Sequence, residues 1–101
     1  MGAQFAAELI DTFFEDARDL IAAMRQALAE TDLDGFRRAA HSLKSNSATV
    51  GAAGLAELAR ELEALARAGS LDGAGERLTR LAGEYEVVAR ALEELRRGIP
   101  S

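Results

Sequence analysis

The sequence predicts an all-α protein, an antiparallel up-and-down bundle of four helices. Apolar residues recur at steps of three and four through most of the chain, the rhythm of a helix with one buried face. Hydrophobic residues make up 49% of the 101 residues, yet aromatics only 5%, and there is a single proline. Ala and Leu dominate instead, which suits helices rather than strands. Short glycine-bearing breaks at Gly51, at Gly69 and in the Asp72–Gly75 stretch interrupt the pattern too often for a long coiled coil. They fold the chain back on itself, as neighbouring antiparallel helices require. The whole chain, 1–101, reads as one domain with one modest core.

The first helical stretch runs from about Ala3 to Glu30. One apolar row is Phe5, Leu9, Phe13, Ala17, Leu20, Met24 and Ala27. A second, alongside it, is Ile10, Phe14, Ala17, Ile21, Met24 and Leu28. This face is wider than one seam needs, and the stretch is either one helix or two joined by a kink near Asp16. The second helix spans about Leu33 to Val50, with Asp32 as its N-cap and Gly51 as its stop. Its row is Leu33, Phe36, Ala40, Leu43, Ser47 and Val50. The third, from about Ala53 to Ala68, carries Leu55, Leu58, Leu62 and Leu65 and stops at Gly69. The fourth begins near Asp72, with Ser70 or Asp72 as cap, and its row is Leu78, Leu81, Tyr85, Val88, Leu92 and Leu95. Gly98 and Pro100 end it, and Arg96 and Arg97 suit the negative pole of its dipole.

Charge and composition exclude several classes of function. Seventeen acidic against twelve basic residues leave a net charge of -5, a poor match to nucleic acid. No apolar run approaches the roughly 20 residues that span a bilayer. The first residues lack a charged segment followed by an apolar one, so no secretory leader is expected. There is no cysteine, hence neither disulfide nor thiolate metal site, and a cytoplasmic location is expected.

The single histidine, His41, lies about 130° around the second helix from its core row, so it faces outward. Arg37 and Arg38 stand one turn before it, Lys44 and Ser45 one turn after, and Ala48 two turns after. An imidazole carrying a lone pair is a nucleophile, and nearby cations such as Lys44 and Arg37 favour that form. The same cations would attract a phosphoryl group. Small residues at 45 and 48 allow a second protein to come close. Taken alone, an exposed histidine among cations is most often an ordinary solvated residue.

The stretch His41-Ser-Leu43-Lys44-Ser-Asn-Ser-Ala-Thr-Val-Gly51 changes that balance. It resembles the signature of the histidine phosphotransfer (HPt) domain: His, any residue, Leu, Lys, Gly, five residues, Gly. Phe13-Phe14-Glu15-Asp16, the turn from Ala27 to Asp32, Leu55, Leu58, Leu62, Glu63 and the Ala66–Gly69 stop are similar to the same family. The resemblance implies that His41 carries a phosphoryl group on the nitrogen distal to the backbone. It implies that Lys44 stabilises charge and that Gly51 permits tight packing where the active helix ends. Ser45 departs from the usual glycine; it is small and able to donate a hydrogen bond to a phosphoryl oxygen. The implied partners are a response-regulator receiver domain, a histidine kinase, or both. Mg2+ would reside in the receiver, with no cofactor or metal in this chain and no kinase activity of its own. Family members dock a receiver helix on an apolar patch beside the histidine, and Ile10, Phe13 and Phe14 are the candidates for it here.

Other chemistries lack their residues. Gly51-Ala-Ala-Gly54 is too short for a nucleotide-binding loop and lies between helices. A di-iron bundle needs paired Glu-x-x-His motifs, whereas Arg38 precedes the only histidine by three. Ser42 and His41 are adjacent on a helix and do not face each other. Glu57 with Glu61 is a weak signal, and Glu63 with Arg67 reads as an ordinary i,i+4 pair. The remaining alternative is a non-catalytic interaction module whose histidine is incidental.

Overall fold

The structure, a computed structural model, describes residues 2–99. Four helices follow in order: α1, Gly2–Glu30; α2, Leu33–Thr49; α3, Ala53–Arg67; α4, Ala74–Arg97. Each packs on its neighbours in a closed ring, α1 on α2, α2 on α3, α3 on α4 and α4 on α1. The bundle measures 45 × 19 × 19 Å.

The α1 helix is continuous through Asp16. It has neither glycine nor proline after Gly2, so nothing in it interrupts the hydrogen-bond ladder. Its two apolar rows have a simple cause: one helix packs against both α2 and α4.

The three turns between helices share one geometry. At the end of α1 the Asp32 amide bonds to the Ala27 carbonyl and the Thr31 amide to that of Leu28. Ala52 and Gly51 repeat this pattern on Ser47 and Ala48, and Ser70 and Gly69 repeat it on Leu65 and Ala66. The end of each of these three helices therefore places one residue, Thr31, Gly51 or Gly69, in the left-handed region. Gly51 (φ +77°) fits that demand without strain, whereas Thr31 (φ 54°) meets it with a β-branched side chain. Asp32 caps α2 as expected, accepting from the Gly35 amide at 2.9 Å. A Cβ at Gly35 would lie 2.3 Å from an Asp32 carboxylate oxygen, so a side chain there would push that carboxylate from its present position.

The start of α4 differs from expectation. Neither Ser70 nor Asp72 caps it. Its N-cap is Gly73, and the Ser70 hydroxyl instead accepts from the Asp72 amide within the loop. Pro100, the expected stop, lies outside the described residues.

The core is filled by Phe36, Met24, Leu43, Leu55, Leu62 and Leu81, all fully buried. Two ends of the predicted rows fall outside it: Phe5 and Leu95 are exposed. The reason is length. α1 has 29 residues against 17 in α2, and α4 has 24 against 15 in α3, so the long helices outrun the short ones at one end. Ala89 rather than Val88 completes the buried row of α4.

Candidate phosphoryl-transfer site

The α2 helix presents His41 on its outer face, with 54% of the side chain exposed. Leu43 and Ala40, fully buried, fix the orientation of the helix from the opposite side. Across the seam, α3 offers Glu63, and only 5% of its side chain is exposed. His41 Nδ1 lies 2.6 Å from Glu63 Oε2. Lys44 Nζ donates to Glu63 Oε1 at 2.6 Å, and the Arg67 guanidinium donates to Oε2 at 3.2 Å. One buried carboxylate thus gathers three basic side chains.

The carboxylate stays ionised despite burial. The Lys44 hydrogen bond is the strongest influence on it; burial works in the opposite direction, and His41 reinforces Lys44. The net result holds Glu63 below the ordinary carboxylate range. An ionised carboxylate only accepts hydrogen bonds, so the ring nitrogen facing it must be the donor. The Nδ1–H donates to Glu63, and the ring's lone pair is left on Nε2, the nitrogen distal to the backbone. Orientation and tautomer are set together by one side chain.

This corrects the expected electrostatics. Arg37 and Arg38 both donate to Asp34, two turns before His41 on α2, Arg37 at 2.9 Å. The charged group in contact with the imidazole is negative, and the same Glu63 carboxylate accepts from Lys44. Ser45 is exposed one turn beyond His41, and its carbonyl accepts from the Thr49 hydroxyl at 3.0 Å. Ala48 is exposed two turns along α2, and Gly51 is exposed in the turn that follows the helix.

The apolar docking residues also need correction. Ile10 and Phe13 are buried, with 4% and 3% of their surface exposed. Phe13 packs inward on Tyr85, ring centroids 6.1 Å apart. Only Phe14, half-buried against the core, keeps accessible surface.

Glu63 is the residue that reading α3 by itself misses, because it pairs plausibly with Arg67. A signal was present. Glu63 stands four residues after Ala59 and three before Ala66, both buried, and so is an acid on the apolar face of α3. A carboxylate there requires partners.

Residues 8–98 match the family model of the Hpt domain. The fold matches the crystal structure of histidine-containing phosphotransfer protein B from Pseudomonas aeruginosa with a TM-score of 0.88 and 32% identity, over 90% of this chain and 79% of that one. No curated protein sequence matches it. The family match takes in His41, Lys44 and Glu63 together with most of the bundle that holds them, and the chain accordingly belongs to the Hpt domain family, which carries phosphoryl groups in two-component signalling.

Proposed function

We propose that His41 is the phosphoryl acceptor and that it reacts through Nε2. The observation that carries this is the contact between the chain's only histidine and the buried Glu63 carboxylate. The Nε2 lone pair attacks the phosphorus of a receiver's phospho-aspartate. A nitrogen–phosphorus bond forms, the bond from phosphorus to the aspartyl oxygen breaks, and the aspartate leaves as a free carboxylate. No proton has to leave the ring first, because Nε2 carries none. The ring becomes cationic, and the adjacent Glu63 charge stabilises it.

Lys44 has three N–H donors, and Glu63 engages one. The others are available to phosphoryl oxygens, as is the exposed Arg67 guanidinium. Ser45, one turn from His41, can donate its hydroxyl. Arg37 and Arg38 contribute a cationic background rather than direct contacts, since Asp34 holds both.

The chain acts as a carrier rather than a kinase: Mg2+ and the groups that activate the phosphodonor come from the partner receiver. A cytoplasmic location fits this role, and no helix among the described residues is long and apolar enough to cross a membrane. The partner is a receiver domain, a histidine kinase, or both in turn. The test is transfer from a phosphorylated receiver. Acid-labile, base-stable label should appear on the wild-type chain and vanish in His41→Gln. Label that persists in that variant would refute the assignment.

A further inference from the structure

The α1/α4 seam lies across the ring of helices from the α2/α3 seam that holds His41. It carries a hollow of about 160 Å³, well above the roughly 10–15 Å³ that one water needs. Arg18, Ile21 and Arg25 of α1 line one wall, and Ala82, Tyr85 and Glu86 of α4 line the other. Arg18 and Arg25 are seven residues apart, two helical turns, so both project toward this seam. Buried Ile21 stands between them as an apolar floor.

Two features of the hollow have no use in the packing of the bundle. The first is the Tyr85 hydroxyl. The residue is 4% exposed, and its oxygen has no hydrogen-bond partner. Burial pushes its pKa up, with the charge of Arg18 pulling against burial, so at neutral pH the hydroxyl keeps its proton and is a donor. Buried donors in folded proteins nearly always find an acceptor. The second is the pair of arginines. Among the described residues neither Arg18 nor Arg25 forms an ion pair. Glu86 shares the hollow with them and pairs with neither. Three donors from two helices thus border one space with no side-chain acceptor bonded to them.

We propose that this hollow binds a phosphate group between the Arg18 and Arg25 guanidiniums and the Tyr85 hydroxyl. Donors arriving from three directions suit a tetrahedral oxyanion better than a carboxylate, whose two oxygens lie in one plane. Two guanidiniums outweigh the one Glu86 carboxylate, so the hollow is locally cationic in a chain of net charge -5. Both arginines are exposed and can turn over the ion without disturbing the core. Guanidinium-to-phosphate hydrogen bonds are charge-assisted and directional. An ion held there bridges α1 and α4 and stabilises the seam by mass action.

Tyr85 is the chain's only tyrosine, and there is no tryptophan, so its fluorescence reports from the site itself. Inorganic phosphate, titrated at a constant ionic strength of about 0.15 M, should change that fluorescence saturably in the millimolar range, whereas sodium chloride should not. Arg18→Gln and Arg25→Gln should each weaken binding at least fivefold, and Glu86→Gln should strengthen it. All three residues are exposed, so these variants should fold normally, as circular dichroism checks. Phosphate should also raise the melting temperature, and Tyr85→Phe should lose most of that rise. Glycerol phosphate separates the sources: binding as tight as that of inorganic phosphate assigns the site to a phosphate carried on a larger molecule, and weaker binding assigns it to the free ion. Acetate should bind at least tenfold more weakly than phosphate, and equal binding would overturn the choice of phosphate. No saturable change in the wild type, or an unaltered titration in both arginine variants, would overturn the site.

Discussion

The α2/α3 seam and the α1/α4 seam are both contacts between neighbouring antiparallel helices, but they are built from opposite materials. Between α1 and α4 the buried residues are apolar or aromatic: Ile21, Phe13, Leu81, Tyr85 and Ala89. Its ion pair, Arg96 with Asp11, is exposed at the edge. Between α2 and α3 the apolar stripe is broken by a buried carboxylate and its three basic partners. The first seam stabilises the bundle by burial, and rearranging its surface charges would change little. The second holds a charge that a well-packed apolar residue would replace without loss of stability. Its value under the proposed function is positional: it holds the His41 ring outward with Nδ1 turned to Glu63, so that Nε2 is the nitrogen open to phosphorus.

The comparison predicts a division between stability and transfer. The largest effect on the fold belongs to the apolar side. Leu81→Ala should cost about 2–5 kcal/mol in urea unfolding. Once corrected for the folded fraction, transfer to His41 should be unaffected, and a slower rate per folded molecule would blur the division.

Next in size is Glu63→Ala, which removes the acceptor at Nδ1 and leaves Lys44 without its partner. Transfer should slow about tenfold to a hundredfold, at about 1.4 kcal/mol of barrier per factor of ten. Glu63→Gln retains an acceptor oxygen but no charge and should fall between Ala and wild type. Equal rates in Gln and Ala would mean that charge, and not the hydrogen bond, does the orienting.

Much of this was legible in the sequence, and the omissions have physical causes. The α2 row through Phe36, Ala40 and Leu43 and the outward direction of His41 follow from helical geometry alone. The partner of His41 does not, because it depends on which residue of α3 faces it. That register is set by the turn at Gly51, which joins the two helices. Likewise, two apolar rows on one helix are compatible with docking or with burial. Packing of α1 between α2 and α4 decides the matter, and Ile10 and Phe13 go inside. Phe5 and Leu95 keep the apolar spacing but have no shorter helix beside them to pack on.

A smaller effect concerns acid. Because the folded pKa of Glu63 is lowered, its contribution to stability is present above its unfolded value, near 4.5, and is lost as pH falls through the folded value. The stability gap between wild type and Glu63→Gln should therefore be full at pH 7 and close progressively below about pH 4.5. A gap that widened in acid would reverse the sign of the coupling. Smallest is Ser47→Ala. This hydroxyl is fully buried with no hydrogen-bond partner, two turns along α2 from Ala40. Its removal should raise stability by about 1 kcal/mol in the same unfolding assay, without altering transfer.

The central claim is that Glu63 fixes the proton on Nδ1 and so reserves Nε2 for phosphorus. Nuclear magnetic resonance of the phosphorylated, ¹⁵N-labelled chain tests it most directly. The account predicts a phosphorus–nitrogen coupling at Nε2 of His41, with Nδ1 protonated and hydrogen-bonded. A coupling at Nδ1 would contradict it.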